Sequence, residues 1–391
     1  MICAGFQFAG VAAGVQKSGR KDLGLIYSSV PCAVAGLFTR NYVQAAPVRL
    51  DRQRIRRPSC QAVIVNSGNA NCCTGSQGMQ AALRMARCVA AGLNISEEQV
   101  LVASTGVIGE PLPVDRIEAA APALIEALRP EGTRDFAEAI MTTDTVPKVV
   151  SRQGEVAGKR FTVTGVAKGA GMIQPDMATM LCFLVSDIRA SAEELRSMLA
   201  AAAARSLNRI TVDGDTSTND TTLLLANGLS GAAIEAAADR DAVQSVLNDV
   251  LLDLAKRLVK DGEGATKLVE VVVRGARSDQ EALRIAMTVA NSSLVKTALF
   301  GEDANWGRIL AAAGRAGVEL DADRIDLRFD EALMVQNGIG CGKAAEAEAT
   351  RVLKKPELTM TLDLKLGSGT ASMFTCDFSL DYVRINAAYR S

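Results

Sequence analysis

Residues that can carry chemistry gather where apolar, strand-like runs begin or end. The densest such segment is KGAGMIQPDMATML at 168–181, in which Pro175 fixes a turn and Thr179 opens the apolar run that follows. Threonine is ordinary at a strand start, because β-branched residues favour strands. The 391-residue chain contains no histidine, so a hydroxyl nucleophile here has no imidazole base. A threonine at a newly formed N-terminus can use its own α-amino group, whose pKa of about 7.7–8.0 suits neutral pH.

Three further segments combine small, hydroxyl or acidic residues with a strand end. Thr105 and Gly106 follow the strand-like run VLVAS, where they can present a hydroxyl and backbone N–H groups to an oxyanion. The segment MTTDTVP at 141–147 is rich in hydroxyls, and Glu263 lies between two glycines in KDGEGATK at 260–267. A carboxylate in such a turn is well placed to meet a cationic ligand. Each segment also fits a plain turn, so none of them alone defines a site.

The composition excludes several classes of protein. The chain carries 43 Lys+Arg against 44 Asp+Glu, a net charge of −1, which argues against nucleic acid or an anionic membrane as its main partner. Without histidine a zinc site needs four thiolates, and the spacing of the nine cysteines offers no such set, so no metal is expected. Reduced thiols favour a cytoplasmic location. We expect no secretory signal, because the first charges follow the apolar N-terminal stretch, and no membrane span.

The hydrophobic pattern predicts strands and helices in an irregular alternation. Short runs rich in β-branched residues predict strands at 61–66, 100–104, 160–168, 180–187, 208–215, 267–275, 324–330 and 357–367. Apolar residues at three-to-four spacing predict helices at 76–93, 113–130, 191–207, 240–260 and 278–299. Two of these helices are expected to begin with a capping box, Ser191 with Glu194 and Ser278 with Glu281.

This order of elements indicates the fold class and a domain boundary. It is neither a regular βαβ repeat nor a block of strands followed by a block of helices, so we expect an α/β fold of mixed sheets layered with helices. Gly275 follows a predicted strand and precedes a capped helix, which makes it the best internal boundary. It divides the chain into a larger domain, 1–275, which holds the polar segments above, and a smaller α/β C-terminal domain, 276–391.

The polar segments belong to longer blocks whose order along the chain is informative. The string KGAGMIQPDMATML resembles the self-cleavage segment of the ornithine acetyltransferase family, the bifunctional glutamate N-acetyltransferases of arginine biosynthesis. Further blocks similar to that family are GFQFAGVAAGVQKSGRKDLGLI (5–26), VNSGNANCCTG (65–75), STGVIG (104–109), IMTTDTVPK (140–148), TVDGDTSTNDT (211–221), DGEGATK (261–267), TALFGEDANWGRILAAAGRAG (297–317) and CDFSLDYVRINAAYRS (376–391). This ordered series covers nearly the whole chain and is far more specific than any single motif.

The resemblance implies a maturation step and a reaction. Self-cleavage between Ala178 and Thr179 would give an α chain of residues 1–178 and a β chain of residues 179–391. The hydroxyl of Thr179 would then take the acetyl group from N-acetylornithine, release ornithine, and pass the acetyl group to the amine of glutamate. This ping-pong transfer needs no cofactor, and acetyl-CoA is a further acetyl donor in bifunctional members. The family also implies an αββα-like fold of the N-terminal-nucleophile type and a heterotetramer of two α and two β chains.

The resemblance also assigns roles to individual residues. Thr105 and Gly106 match the oxyanion hole of the family. The implied substrate contacts are Thr142, Lys168, Thr179, Glu263, Asn386 and Ser391, with Thr143 as the alternative to its neighbour Thr142. Lys168 suits the α-carboxylate that both substrates carry, and Glu263 suits the side-chain ammonium of ornithine.

Two positions depart from the family pattern, and two other functions are alternatives. Asp176 stands where an amide is expected, so its charge bears on the rate of cleavage, and Ser391 replaces a threonine but keeps the hydroxyl. One alternative is a hydrolase of related architecture, an N-terminal-nucleophile amidase or aminopeptidase, which would hand the acyl group to water. The other is a non-catalytic ligand-binding protein, which would keep the fold without cleavage or transfer.

Overall fold

Strands and helices account for most of the computed structural model, which describes residues 1–16, 19–57, 59–174 and 180–388. The strands are β1 (Phe6–Val11), β2 (Leu23–Phe38), β3 (Ser59–Asn69), β4 (Val100–Val107), β5 (Lys148–Val156), β6 (Lys159–Lys168), β7 (Leu181–Ser186), β8 (Ile210–Thr211), β9 (Thr221–Ala226), β10 (Leu268–Ala276), β11 (Asp326–Phe329), β12 (Ala332–Gln336), β13 (Ile339–Gly340), β14 (Glu357–Asp363) and β15 (Gly369–Cys376).

The helices alternate unevenly with these strands. They are α1 (Ala46–Arg54), α2 (Gly75–Leu93), α3 (Val114–Glu126), α4 (Thr133–Ala139), α5 (Ala192–Arg205), α6 (Ala237–Lys260), α7 (Asp279–Ala290), α8 (Ser293–Phe300), α9 (Trp306–Gly314), α10 (Lys343–Leu353) and α11 (Leu380–Ala388). Within the described ranges, none of them is long and apolar enough to cross a lipid bilayer.

The described chain divides into two compact units. The first comprises residues 1–208 and 215–258, and the second comprises residues 209–214 and 259–388. The division after Leu258 comes earlier in the chain than the boundary expected at Gly275, because β10 is an inner strand of the sheet in the second unit. Each unit contains a sheet covered by helices, which confirms the mixed α/β class predicted from the sequence.

The sheet of the first unit is mixed. Its described strands number eight, in the order β4–β3–β2–β9–β7–β6–β5 with β1 paired to β2. β3 runs parallel to β4, and β7 runs parallel to β9, whereas the other pairs are antiparallel. Successive strand residues point to opposite faces, so Ile64 belongs to a core with Met85 of α2, and Val65 to a second core with Phe136 of α4. Both faces of this sheet are therefore buried.

The sheet of the second unit has the order β13–β12–β11–β14–β10–β15–β8 among the residues described. β10 pairs in parallel with β14 on one side and antiparallel with β15 on the other. Helices α7 to α10 supply apolar residues to one continuous core with these strands, including Ile285, Leu299, Ile309 and Leu353. All residues of this core lie between Val269 and Met373.

Most predicted elements are present, and two of them need correction. The predicted helix at 278–299 is two helices, α7 and α8, because Ser292 adopts an extended backbone with ψ of 111° between them. The predicted strand at 208–215 is confined to Ile210–Thr211. The capping box of Ser191 with Glu194 is confirmed, whereas at Ser278 only the bond from the Glu281 N–H to the serine hydroxyl forms.

Candidate active site

Thr105 and Gly106 lie at the end of the parallel strand pair β3–β4. Thr105 is opposite Ser67, and Gly106 is opposite Gly68, just before the register between the strands shifts. The two backbones approach so closely that a Cβ on Gly106 would lie 2.3 Å from the carbonyl carbon of Gly68. Gly106 also has φ of +131°, which side-chain-bearing residues rarely adopt. Glycine is therefore required at position 106 for the predicted oxyanion hole to have this backbone.

Buried amide side chains fix the backbone around this strand end. Asn66 Nδ2 donates to the carbonyl of Asn69 at 2.9 Å, and Ser104 Oγ donates to Asn66 Oδ1 at 2.6 Å. Asn219 Nδ2 donates to the carbonyls of Ala70 and Ser104 at 2.6 and 2.8 Å. Because buried polar groups are costly unless they are hydrogen-bonded, this network defines one conformation for the residues that precede Thr105.

Lys168 joins three of the predicted site residues. It ends β6 and is 8% exposed, and its Nζ donates to Thr105 Oγ1 at 3.0 Å and to Thr142 Oγ1 at 2.8 Å. Of the two adjacent threonines, Thr142 is thus the one whose hydroxyl contacts Lys168. An ammonium group only donates hydrogen bonds, so the Thr105 oxygen accepts here and its own hydrogen points elsewhere. The structure brings together Thr105, Gly106, Thr142 and Lys168.

Asp144 supports this cluster and was not identified from the sequence. Its Oδ1 accepts from Lys148 Nζ at 2.6 Å and from the Gly169 N–H at 2.7 Å, and its Oδ2 accepts from the Thr142 N–H at 3.1 Å. The side chains of Asp144 and Lys148 are 0% and 1% exposed. The sequence signal for a buried ion pair was Lys148, which opens a strand four residues after Asp144. The hydroxyl residues beside Asp144 indicated only a polar loop.

The charge on Asp144 is maintained by its neighbours. Burial by itself raises the pKa of this carboxyl group, but the positive charges of Lys148 and Lys168 and the N–H of Gly169 together outweigh burial. Its pKa therefore lies below the ordinary value. The ionised carboxylate in turn supplies a counter-charge to Lys168, which allows a nearly buried ammonium group to stand beside Thr105.

In the second unit, Glu263 and Asn386 contact each other. Glu263 lies in the loop 261–267 between α6 and β10 and is 7% exposed, and Asn386 Nδ2 on α11 donates to its Oε2 at 2.8 Å. A carboxylate this deeply buried normally has a cationic partner, whereas the hydrogen bond found here comes from a neutral amide. This pair is therefore suited to receive a positively charged group of a ligand.

Asp377 holds the loop of Glu263 in place and was also missed by the sequence analysis. Its carboxylate accepts from the Thr266 N–H and Oγ1 at 2.8 and 2.6 Å and from the Lys267 N–H at 2.9 Å. Ser379 Oγ donates to the carbonyl of Gly264 at 2.6 Å. Asp377, in the block CDFSLDYVRINAAYRS, thus anchors the DGEGATK loop. The two blocks are far apart in the sequence, so no local pattern predicts this contact.

Three predicted residues, Ala178, Thr179 and Ser391, lie outside the described residues, as does Asp176. The described ranges contain no group of three or more Cys, Asp or Glu side chains arranged to hold a metal ion. The predicted residues that the structure does describe therefore form one group in each unit, and neither group includes a metal site.

Comparison with known proteins defines the class of this protein. The ArgJ family model matches residues 7–391. The arginine biosynthesis bifunctional protein ArgJ of Geobacter sulfurreducens is 52% identical over 393 aligned residues, which cover 100% of each chain. The crystal structure of the ArgJ protein of Bacillus halodurans is 40% identical over 53% of this chain and 98% of that chain, with a TM-score of 0.51. The ornithine acetyltransferase of Mycobacterium tuberculosis, solved with ornithine, is 41% identical over 44% of this chain and 93% of that chain, with a TM-score of 0.41.

The family match and the full-length relative, with the mixed α/β fold, define an acetyltransferase of arginine biosynthesis. The chain belongs to the ArgJ family, whose relatives it matches from end to end at about half identity. The family and the reaction class predicted from the sequence are thereby confirmed.

Replacing Asp144 by asparagine should destabilise the protein strongly. The substitution leaves Lys148 buried without its counter-charge, for which we expect a loss of about 3 kcal/mol or more in the free energy of unfolding. Asp253→Asn is the control, because Asp253 is only partly buried and pairs with two exposed arginines, Arg257 at the same four-residue spacing and Arg152, each pair being worth about 0–1 kcal/mol. Urea unfolding at neutral pH measures both, and equal losses would contradict the role given to Asp144.

The contribution of Asp144 should also disappear in acid. Because the folded pKa lies below the unfolded value of about 3.9, the ionised carboxylate stabilises the fold fully above that value. The contribution is lost as the pH falls through the folded pKa. The difference in unfolding free energy between the wild type and Asp144→Asn should therefore be constant above about pH 5 and shrink below about pH 4.

Replacing Asp377 by asparagine should loosen the Glu263 loop. The amide loses one of the two acceptor oxygens that now serve three donors, so we expect faster amide hydrogen exchange in residues 261–267. Asp381→Asn is the control, because the Asp381 side chain is exposed and pairs with Arg384 on its own helix. Exchange followed by mass spectrometry should separate the two variants, and identical exchange in the loop would remove Asp377 from this role.

Proposed function

We propose that the protein transfers an acetyl group from N-acetylornithine to glutamate by a ping-pong mechanism through an acetylated Thr179. The observation that carries the proposal is the Lys168 ammonium group bonded to both Thr105 and Thr142, beside a backbone at Gly106 that only glycine can adopt. This cluster offers a positive charge and hydrogen-bond donors to an acyl oxygen. A chain with no histidine needs a different base, and the α-amino group of a released Thr179 meets that need.

Self-cleavage between Ala178 and Thr179 would create that amino group. The products would be an α chain of residues 1–178 and a β chain of residues 179–391.

In the first half-reaction the α-amino group of Thr179 takes the proton from its own hydroxyl as the oxygen attacks the acetyl carbonyl. The negative charge on the carbonyl oxygen is stabilised by the Thr105 hydroxyl and the Gly106 N–H. Lys168 polarises that hydroxyl by donating to its oxygen. Ornithine leaves with the returned proton, and the amine of glutamate then attacks the acetyl-threonine in the same way.

Substrate binding uses the remaining predicted residues. Lys168 and Thr142 would bind the α-carboxylate common to both substrates, and Glu263, held by Asn386, would bind the side-chain ammonium of N-acetylornithine. Ser391 would add a hydroxyl at the C-terminus. Each of these contacts uses a charge or a hydroxyl that the substrate complements.

Acetyl-CoA is proposed as a second donor, in keeping with the name of the Geobacter sulfurreducens relative, a bifunctional protein of arginine biosynthesis. Acetyl-CoA would be a substrate, so neither acetyl-transfer reaction requires a bound cofactor. We further propose a cytoplasmic location and a heterotetramer of two α and two β chains. Glutamate and acetyl-CoA given to the purified protein should release free thiol, and the absence of thiol would limit the activity to recycling of the acetyl group.

The Thr179→Ala variant should remain a single chain. It lacks the hydroxyl that initiates cleavage, so a denaturing gel should show one band near 41.1 kDa, whereas the wild type should show two bands. Met180→Leu, at the adjacent position, keeps the hydroxyl and should still give two bands. Two bands from Thr179→Ala would exclude this residue from cleavage. Wild-type protein that releases acetate from N-acetylornithine both with and without glutamate would instead be a hydrolase.

The Glu263→Gln variant should discriminate between the two substrates. Loss of the carboxylate removes the partner of the ornithine ammonium, so KM for N-acetylornithine should rise about tenfold or more, equivalent to about 1.4 kcal/mol. KM for glutamate should change much less, because glutamate carries no side-chain ammonium. Glu357→Gln, at an exposed glutamate of the same unit, should leave both values unchanged. Unchanged KM values for both substrates in Glu263→Gln would refute the assignment.

A further inference from the structure

Two adjacent cysteines lie in the loop between β3 and α2. Cys72 is 1% exposed, Cys73 is exposed, and their Sγ atoms are 3.8 Å apart. All nine cysteines fall within the described ranges and are free thiols. Cys341 is also exposed, but its neighbours in sequence are glycines, which makes it a reference for an isolated surface thiol.

The two thiols differ in reactivity because they differ in environment. Burial raises the pKa of Cys72, and the nearby Thr218 side chain offsets this only in part. Cys72 therefore stays a protonated thiol that is shielded from reagents. Cys73 is open to solvent and stands two residues before Gly75, the first residue of α2. An oxidant therefore reaches Cys73 first. The Cys72 thiol, 3.8 Å from the Cys73 sulfur, is then positioned to react with the oxidised Cys73.

The loop that carries both cysteines is bonded to the strand end of the oxyanion cluster. The carbonyl of Cys72 accepts from the Gly109 N–H at 3.0 Å, and the Ala70 N–H donates to the carbonyl of Val107 at 2.9 Å. These two bonds hold the backbone at Val107 and Gly109, just after Gly106. The backbone of the cysteine loop is therefore hydrogen-bonded to the chain one and three residues after Gly106.

We propose that Cys72 and Cys73 form a modification site that hydroperoxides convert reversibly into a disulfide between the two neighbours. The Cys73 thiolate attacks a peroxide oxygen, the O–O bond breaks, and Cys73 becomes a sulfenic acid, while the alkoxide or hydroxide that leaves takes a proton from solvent to give an alcohol or water. The Cys72 sulfur then attacks the Cys73 sulfur, and the hydroxide that leaves takes the Cys72 proton to form water. The two thiols are oxidised by two electrons together, and the peroxide is reduced by two.

The geometry of neighbouring residues makes this disulfide readily reversible. Consecutive Cα atoms are about 3.8 Å apart, less than the about 4.4–6.8 Å that an unstrained disulfide prefers. A strained, solvent-accessible disulfide is easily reduced by small thiols. Its formation also draws the sulfur atoms to about 2.05 Å, which displaces the Cys72 backbone and its bond to Gly109. Acetyl transfer should fall as a result, an effect that rests on the function proposed above.

The experiment treats the native protein with dilute hydrogen peroxide, alkylates the remaining thiols after denaturation, and maps the peptides by mass spectrometry. We expect Cys72 and Cys73 to lose alkylation together, with the loss of two hydrogens, while Cys341 remains alkylated. Dithiothreitol should restore both sites. In Cys73→Ser, an exposed position that keeps the fold testable, Cys72 should stay alkylated, and in Cys72→Ser, Cys73 should proceed to the sulfinic acid. Oxidation of Cys73 no faster than Cys341, or a sulfinic acid at Cys73 in the wild type, would overturn the proposal.

A separate measurement follows acetyl transfer before and after oxidation. We expect a loss of about tenfold or more, because a displacement of about 1 Å near reacting groups has effects of that size or larger. Dithiothreitol should reverse this loss, and Cys73→Ser should not show it. An intact rate in protein that carries the disulfide would refute the link to the oxyanion cluster. Failure of the proposed function would look different, because the reduced protein would then transfer no acetyl group while the thiol chemistry remained.

Discussion

A buried negative charge makes the site of the first unit possible. Lys168 stands nearly out of water beside Thr105, and a buried ammonium group without a counter-charge is strongly unfavourable. Asp144 supplies that counter-charge. It also accepts hydrogen bonds from the backbone N–H groups of Thr142 and Gly169, which fixes the backbone at both residues. The second unit uses a buried carboxylate in a similar way at Asp377, which accepts hydrogen bonds from the backbone and a hydroxyl of the Glu263 loop rather than from a lysine side chain. In both units a structural carboxylate positions a residue that is suited to meet substrate.

The fold was predictable where local signals and tertiary packing agree. Helix α2 and strand β3 follow the apolar periodicity closely, and the cap of α5 at Ser191 forms as its sequence indicates. The long strand β2 was missed because Pro31 and several small residues interrupt its apolar pattern, and the register to β3 shifts in the same stretch. The break between α7 and α8 depends on backbone geometry at Ser292 that apolar spacing does not reveal.

The candidate site was predictable to the extent that its residues sit in recognisable blocks. Thr105, Thr142 and Lys168 are far apart in sequence, yet the family resemblance named them and the structure brings their polar atoms within hydrogen-bonding distance. Asp144 and Asp377 could not be found in that way. Their importance lies in bonds to backbone N–H groups of other segments, and a sequence records neither the burial nor the direction of those groups.

The antiparallel pairing of β6 with β7 has a consequence for the cleaved protein. Lys168 pairs with Leu181 across the connection that contains the proposed cut, so each product would retain one strand of the pair. β7 pairs in turn with β9 of the same product, and β9 pairs with β2 of the other product. The two strands of the product 179–391 therefore lie between strands of the product 1–178 in one sheet. The core of the first unit would then be shared between the two products, whereas the product 179–391 would contain the whole core of the second unit. Refolding of the mature protein would change from a first-order to a second-order process, with a rate that depends on concentration.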